Sequence, residues 1–171
     1  MGSSERPDEP ELTDARQVEL SLTDPHAFAA LFERHAGSVQ RYLVKRVGPD
    51  NAEDLLGETF VTAFRVRRAY DLARADARPW LFGIATNHAR HFWRSELRRL
   101  SGIGAALSDG GTTLDHSDEA TSSVFFSTQT GDVAQALAHL DDAHLDVILL
   151  IAGPGFTYEE VAEALGIPVG T

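Results

Sequence analysis

The chain of 171 residues contains no cysteine. Disulfide staples and thiolate metal sites are therefore excluded, which fits a reducing, cytoplasmic setting. No apolar run approaches the ~20 residues of a membrane span, so membrane insertion is not expected. The polar, acidic start MGSSERPDEPELTDARQVEL has no signal-peptide pattern. No Gly-rich phosphate loop, GxSxG elbow or HExxH motif occurs, and Ser101-Gly102-Ile103-Gly104 is too loose to cradle a phosphate. Neither His88 with His91 nor His139 with His144 is flanked by a good third ligand. No metal, cofactor or catalytic residue is expected. Alternating strand patterns are missing throughout, so the expected fold is all-α. The most informative absence is of positive charge: beyond residue 99 there is no Lys or Arg.

That absence turns the net charge of −11 into a map. Residues 1–24 hold seven acidic and two basic side chains, and 25–64 hold five and four. Residues 65–99 hold three and nine, and 100–171 hold eleven acidic groups alone. All the strong positive potential lies in one 35-residue window. A chain that is acidic overall can still bind a polyanion there.

Hydrophobic periodicity divides the chain. Residues 1–22 read as a disordered acidic tail, with isolated apolar residues among Pro, Ser, Glu and Asp. Asp24-Pro25 is a helix start. Phe28, Leu31, Phe32, His35, Val39, Tyr42 and Leu43 then mark one face of an amphipathic helix, which Gly48-Pro49 breaks. Asp50 and Glu53 have capping-box spacing for a second helix, with an apolar stripe of Ala52, Leu55, Leu56, Phe60, Ala63 and Phe64. YDLARADAR (70–78) reads as a loop. Pro79 opens a third helix with Trp80, Leu81, Ile84, Ala85, His88, Phe92 and Leu97 inward. Asn87, Arg90, His91, Arg94 and Arg98 share another face. Gly, Ser, Thr and Asp dominate 100–131, a linker. Helical patterning resumes at 132 with Val133, Leu137, Leu140, Leu145, Ile148 and Leu149. The expected organisation is a tail (1–22), a helical domain (23–99), a flexible linker (100–131) and a small helical domain (132–171).

Two segments carry function. FTYEEVAEALGIPVGT has a helix-turn-helix layout: Thr157 and Glu160 form a capping box, and Val161 and Leu165 face inward. Ala162 is small where a second helix would cross, Gly166 makes the turn, Ile167 packs under it, and the following element runs to Thr171. An ordinary helical hairpin has the same spacing. In the basic window, Arg74, Arg78, Arg90, Arg94, Arg98 and Arg99 accompany Trp80, Phe82, His91, Phe92 and Trp93. Cations with stacking groups suit single-stranded nucleic acid. Several of these aromatics must also fill the core. Asn87, polar at mid-helix, can donate to and accept from a base edge.

In order, FAALFERHAGSVQRYLVKRV, NAEDLLGETFVTAFR, DARPWLFGIATNHARHFWRSELRR and VAQALAHLDDAHLDVILLIAGPGFTYEEVAEALGIPVGT resemble a bacterial sigma factor of the small, two-domain extracytoplasmic-function group. The resemblance covers about 25–99 and 132–171. It implies a non-enzymatic transcription initiation factor that binds core RNA polymerase and melts promoter DNA. It assigns Asp54, Leu55, Glu58, Thr62 and Arg65 to the clamp helices of the polymerase's largest subunit. It assigns Arg74, Asp76, Ala77, Arg78, Asn87, Arg90, His91 and Arg94 to the minus-ten element, where a flipped base of the single-stranded non-template strand is captured. It also implies an anti-sigma factor as partner, and a linker that threads toward the polymerase's active-site cleft.

Gly57 departs from the family's frequent Gln and removes a side chain from the docking face that the resemblance implies. The chain also stops where the family continues into an Arg-rich recognition helix. Truncation within the helix-turn-helix is therefore expected, with no specific reading of minus-thirty-five DNA and with 156–171 mobile or packed on a partner. The alternative is an interaction protein that occupies polymerase or an anti-sigma factor without reading a full promoter. An enzyme using His88 and His91 is a remote third.

Overall fold

A computed structural model describes the backbone of residues 12–107 and 140–169, and the side chains of 12–100 and 140–169. Every regular element among them is helical: α1 (Asp14–Ser21), α2 (Ala29–Val47), α3 (Pro49–Val66), α4 (Arg78–Leu107), α5 (Asp142–Ala152) and α6 (Tyr158–Leu165).

The expected tail ends earlier than residue 22. Thr13 caps α1, its hydroxyl accepting from the Arg16 N–H at 3.3 Å, and Ala15 and Val18 bury themselves against the domain. Two apolar residues are a weak signal, and a buried acid, Asp14, completes the anchor. Asp24 then caps a 3₁₀ turn, Pro25–Phe28, that leads into α2. Along α2 the predicted stripe is buried except for Phe32, which is 45% exposed. Gly48 ends α2 with φ 86° and also serves as the cap of α3, whose first residue is Pro49. The helix therefore starts too early for Asp50 to cap it, and the expected Asp50–Glu53 box does not form.

Helix α4 runs past the expected boundary at 99 to Leu107, so the linker begins later than its composition suggests. Ser101 to Leu107 contains no proline and ends in good helix formers, which outweigh the propensity cost of its two glycines. Residues 108–139, most of the expected linker and the start of the second domain, lie outside the described residues.

Helices α2, α3 and α4 pack on one another, α1 lies against α2, and α5 and α6 close over α2 and α4. The two expected helical units share a core. Phe82, fully buried, meets Tyr42 edge-on at 5.3 Å on one side and Phe156 at 5.1 Å on the other. Thr86 donates to the Phe82 carbonyl (2.8 Å), so its oxygen is left to accept from the Tyr42 hydroxyl at 2.7 Å. Helices α4 and α6 approach closely at Gly83, where a Cβ would stand 2.3 Å from the Ala164 carbonyl oxygen. Only glycine permits that approach.

Candidate nucleic-acid interface

The loop predicted over 70–78 is present, and local acids shape it. The Asp71 carboxylate accepts from the Ala73 N–H (3.0 Å), and Asp76 accepts from the Arg78 N–H (2.8 Å) at the start of α4. The Tyr70 hydroxyl donates to the Arg74 carbonyl at 2.6 Å. Ala77, which the resemblance assigned with the loop to the minus-ten element, is wholly buried, so its side chain packs in the core and does not reach DNA. Arg74 is exposed on the loop, and Asp76 and Arg78 are half-buried. The Asp76 carboxylate beside Arg78 (2.7 Å) holds that guanidinium above its ordinary range.

Further along α4, Asn87, His91 and Arg94 are exposed on one side of the helix. Arg94 leans back so that its Nε donates to the Arg90 carbonyl at 3.3 Å. The aromatics divide: Phe82 belongs to the core, Trp80 packs on Tyr70 at 4.9 Å, and the Trp93 indole donates to the Arg46 carbonyl at 3.0 Å. Of the proposed stacking set, only His91 stands free of the core.

The acidic C-terminal unit covers part of this face. Arg74 pairs with Glu163, and Arg78 lies 3.7 Å from Glu160 with its guanidinium 5.6 Å from the centre of the Phe156 ring. Arg90 donates to Asp146 at 2.6 Å. Asp146, fully buried, also accepts from Arg46 at 2.9 Å, and Arg46 reaches Asp142 at 2.8 Å. Burial alone would lower the Arg46 guanidinium, but Asp146 and Asp142 hold it above its ordinary value. Burial pushes Asp146 upward against the pull of both arginines. Such a cluster adds little net stability, but losing one member strands a buried charge, which costs about 3–5 kcal/mol.

The helix-turn-helix start has the predicted local form. Thr157 and Glu160 make a reciprocal capping box (3.2 and 2.8 Å), and Gly166 takes a left-handed φ of 64°. The Ile167 N–H returns to the Ala162 carbonyl at 3.0 Å. Val161 and Ala162 are buried and Leu165 is half-buried. Ile167 is a correction: it is 46% exposed rather than packed under the turn, because α6 lays its inner face on α4. The segment expected to be mobile or held by a partner is thus held by this chain's own α4 as far as α6 extends. Thr171 lies outside the described residues.

On α3, Asp54, Glu58 and Arg65 are exposed as expected, and Gly57 lies open beside them. Leu55 is 7% exposed, in the core stripe as its spacing predicts, which corrects the surface role that the resemblance assigned to it. Thr62 is half-buried, its hydroxyl 3.0 Å from His88 Nε2, while Nδ1 of the same ring lies 3.3 Å from Glu58. His88 is therefore engaged in helix packing, and His91 points elsewhere. An apolar hollow of about 360 Å³ next to this face, lined by Phe28, Phe32, Phe60, Val61 and Phe64, went unpredicted. Arg46, Asp146 and Gly83 went unpredicted as well. The signal for Asp146 was a lone acid inside the apolar run LDVILL.

A basic helix face led by a shaped loop, with a helix-turn-helix start beyond it, defines a DNA-binding transcription protein. Comparison makes the class definite. Residues 31–99 match Sigma-70 region 2 and residues 136–171 match Sigma-70 region 4. The chain is 32% identical over 148 residues to the RNA polymerase sigma factor CarQ of Myxococcus xanthus, covering 84% of this chain and 79% of that one. It is 28% identical over 167 residues to the ECF RNA polymerase sigma-E factor of Haemophilus influenzae, covering 94% and 88%. The chain belongs to the sigma-70 family, in its extracytoplasmic-function group. It is a transcription initiation factor that binds RNA polymerase and directs it to promoters. The fold resembles CnrH in complex with the cytosolic domain of CnrY, with a TM-score of 0.60 at 24% identity over 91% of this chain and 84% of that one. It also resembles the sigma factor RpoE in complex with the anti-sigma factor NepR from Bartonella quintana, at 0.59 and 20% over 84% and 85%. No described helix is long and apolar enough to cross a membrane.

Proposed function

We propose that this factor reads and melts the minus-ten element with the loop 71–77 and the α4 face of Asn87, Arg90, His91 and Arg94. It docks on the polymerase clamp helices through Asp54, Glu58 and Arg65 on α3, with the neighbouring apolar hollow completing that surface. It acts in the cytoplasm and performs no chemistry of its own, the bond-making belonging to the polymerase. The observation that carries the DNA reading is the row Arg74, Arg78, Arg90, three guanidiniums each already receiving an anion. A site that orders carboxylates along a helix can order phosphates. Protein and DNA cannot hold the same guanidiniums together, so α5 and α6 swing aside when promoter DNA enters. An anti-sigma factor is the natural partner of the closed arrangement.

The test is Asn87→Ala in run-off transcription with core polymerase. Losing one base-edge contact, worth ~1–3 kcal/mol, lowers promoter use by roughly 5- to 150-fold. Polymerase affinity measured by fluorescence titration stays within about twofold of wild type, on the same grounds. A parallel loss of both would assign Asn87 to folding instead.

A further inference from the structure

Helix α1 lies outside the segment that matches Sigma-70 region 2, which begins at residue 31. Yet its N-terminus touches the reading loop, and its C-terminus touches the turn that precedes the loop. At the N-terminus of α1, the Asp14 carboxylate accepts from the Ala77 N–H at 2.9 Å, and the Ala15 N–H donates to the Ala75 carbonyl at 3.4 Å. At the C-terminus, the Ser21 carbonyl accepts from Arg67 Nε at 3.3 Å. Arg67 and Ala77 bracket the turn and loop that connect α3 to α4. An eight-residue helix is ~12 Å long, so α1 fixes the separation of the two feet of that connection.

The carboxylate is itself held from behind. Its Oδ2 faces His35 Nε2 at 2.7 Å, and its Oδ1 accepts from Arg34; both residues belong to α2. Arg34 also donates to the Leu12 carbonyl at 3.1 Å. Asp14 thus joins three parts of the molecule: its own helix, α2 and the loop. Its side chain is 5% exposed, too buried to meet DNA. Within the loop, Tyr70 ties to Arg74 and Asp71 to Ala73, Asp76 caps the start of α4 through Arg78, and the exposed Arg74 reaches Glu163 of α6. Of the loop's side-chain contacts among the described residues, only those with Asp14 bind its backbone to α1 and α2. The distal end of the loop backbone is thus tied to α1 twice, by the buried Asp14 carboxylate and by the Ala15 N–H.

We propose that α1 braces the minus-ten-reading loop and that Asp14 is a positioning residue for base selection, acting through the Ala77 N–H. The inference rests on the loop reading given above. Losing the brace leaves the α2–α3–α4 core and the exposed α3 face in place, since neither includes a contact with Asp14 beyond Arg34 and His35. Discrimination among bases should therefore fall without a matching loss of polymerase binding.

The experiment uses the full chain assembled with core polymerase and a single-stranded DNA pool randomised over the non-template minus-ten positions. Enriched sequences give the base preference at each position. Asp14→Ala is expected to flatten the preference at the loop-read position by about tenfold, the size of one base-edge contact. Asp14→Asn keeps an oxygen for the Ala77 N–H and is expected to retain at least half of the preference; it also serves if the alanine variant folds poorly. Arg74→Ala is the control within the loop. If Arg74→Ala changes the preference and both Asp14 variants do not, the brace is refuted while the loop reading stands. If none of the three changes it, the loop reading itself fails. If Asp14→Asn lowers polymerase affinity and base preference in step, Asp14 is merely structural and the inference is overturned.

Discussion

Replacing Gly83 by Ala places one methyl group at the seam between the two helical units. Its Cβ would stand 2.3 Å from the Ala164 carbonyl oxygen, against an ordinary contact of 3.4 Å or more. Both partners are helix backbone, so no side-chain rotation relieves the overlap, and α6 must retreat by about 1 Å. Overpacking of this kind costs ~1–3 kcal/mol. Within α4 alone the substitution is favourable by ~1 kcal/mol, because alanine is the better helix former. The penalty therefore falls on closure and not on the fold of α4. If closure hides the DNA face, 1–3 kcal/mol raises the open population roughly 5- to 150-fold while that population remains small. Affinity for single-stranded DNA rises in proportion. Fluorescence anisotropy with a labelled oligonucleotide measures the affinity, and small-angle scattering of the same sample measures the opening. A variant that opens without binding DNA more tightly would refute the claim that α5 and α6 occlude the interface. A variant that neither opens nor loses stability would refute the assignment of Gly83 to the seam.

Three further outcomes follow from named contacts. Glu58→Lys reverses an exposed charge that faces His88 at 3.3 Å, and is expected to weaken core polymerase binding in fluorescence titration with an unchanged helical circular dichroism signal. Gly57→Ala meets nothing within 4 Å, so chemical denaturation should report a gain of ~1 kcal/mol with no loss of polymerase binding. Burial opposes ionisation of Asp14, but hydrogen bonds from His35 and Ala77 outweigh it and hold the carboxyl at about 2, below the usual 3.8. The folded state thus binds this proton less readily than the unfolded one. The contribution, about 2 kcal/mol, is complete above pH 3.8 and is lost as pH falls through about 2. Unfolding titrations of wild type and Asp14→Asn should converge over that window.

The helices of the first unit were legible because their apolar residues recur at helical spacing over many turns. Helix α1 was not, since Ala15 and Val18 alone mark it and its anchor, Asp14, is polar. Its partners Ala75 and Ala77 are some sixty residues away, beyond the reach of local pattern. The basic window and its loop could be read from composition and turn chemistry. Their covering could not, because Glu160, Glu163 and Asp146 find Arg78, Arg74 and Arg90 only when α5 and α6 are folded back. Spacing placed Leu55 in the apolar stripe, where it is buried, whereas the resemblance had grouped it with the exposed Asp54 and Glu58. Phe32 errs the other way: its ring meets Phe60 edge-on at 4.9 Å but stays half in water.

The covered arginines also bear on how the factor responds to ionic strength. A free guanidinium that meets a phosphate benefits from release of the small cations condensed on the DNA, and each such contact steepens the decline of affinity with salt. Arg74, Arg78 and Arg90 begin from carboxylates of their own chain. For them the exchange is one anion for another, and added salt loosens the internal pairs as it loosens those with phosphate. The two screening effects oppose each other, so the intact factor meets DNA with a shallower salt dependence than its count of phosphate contacts implies. The same chain held open returns to the steeper one.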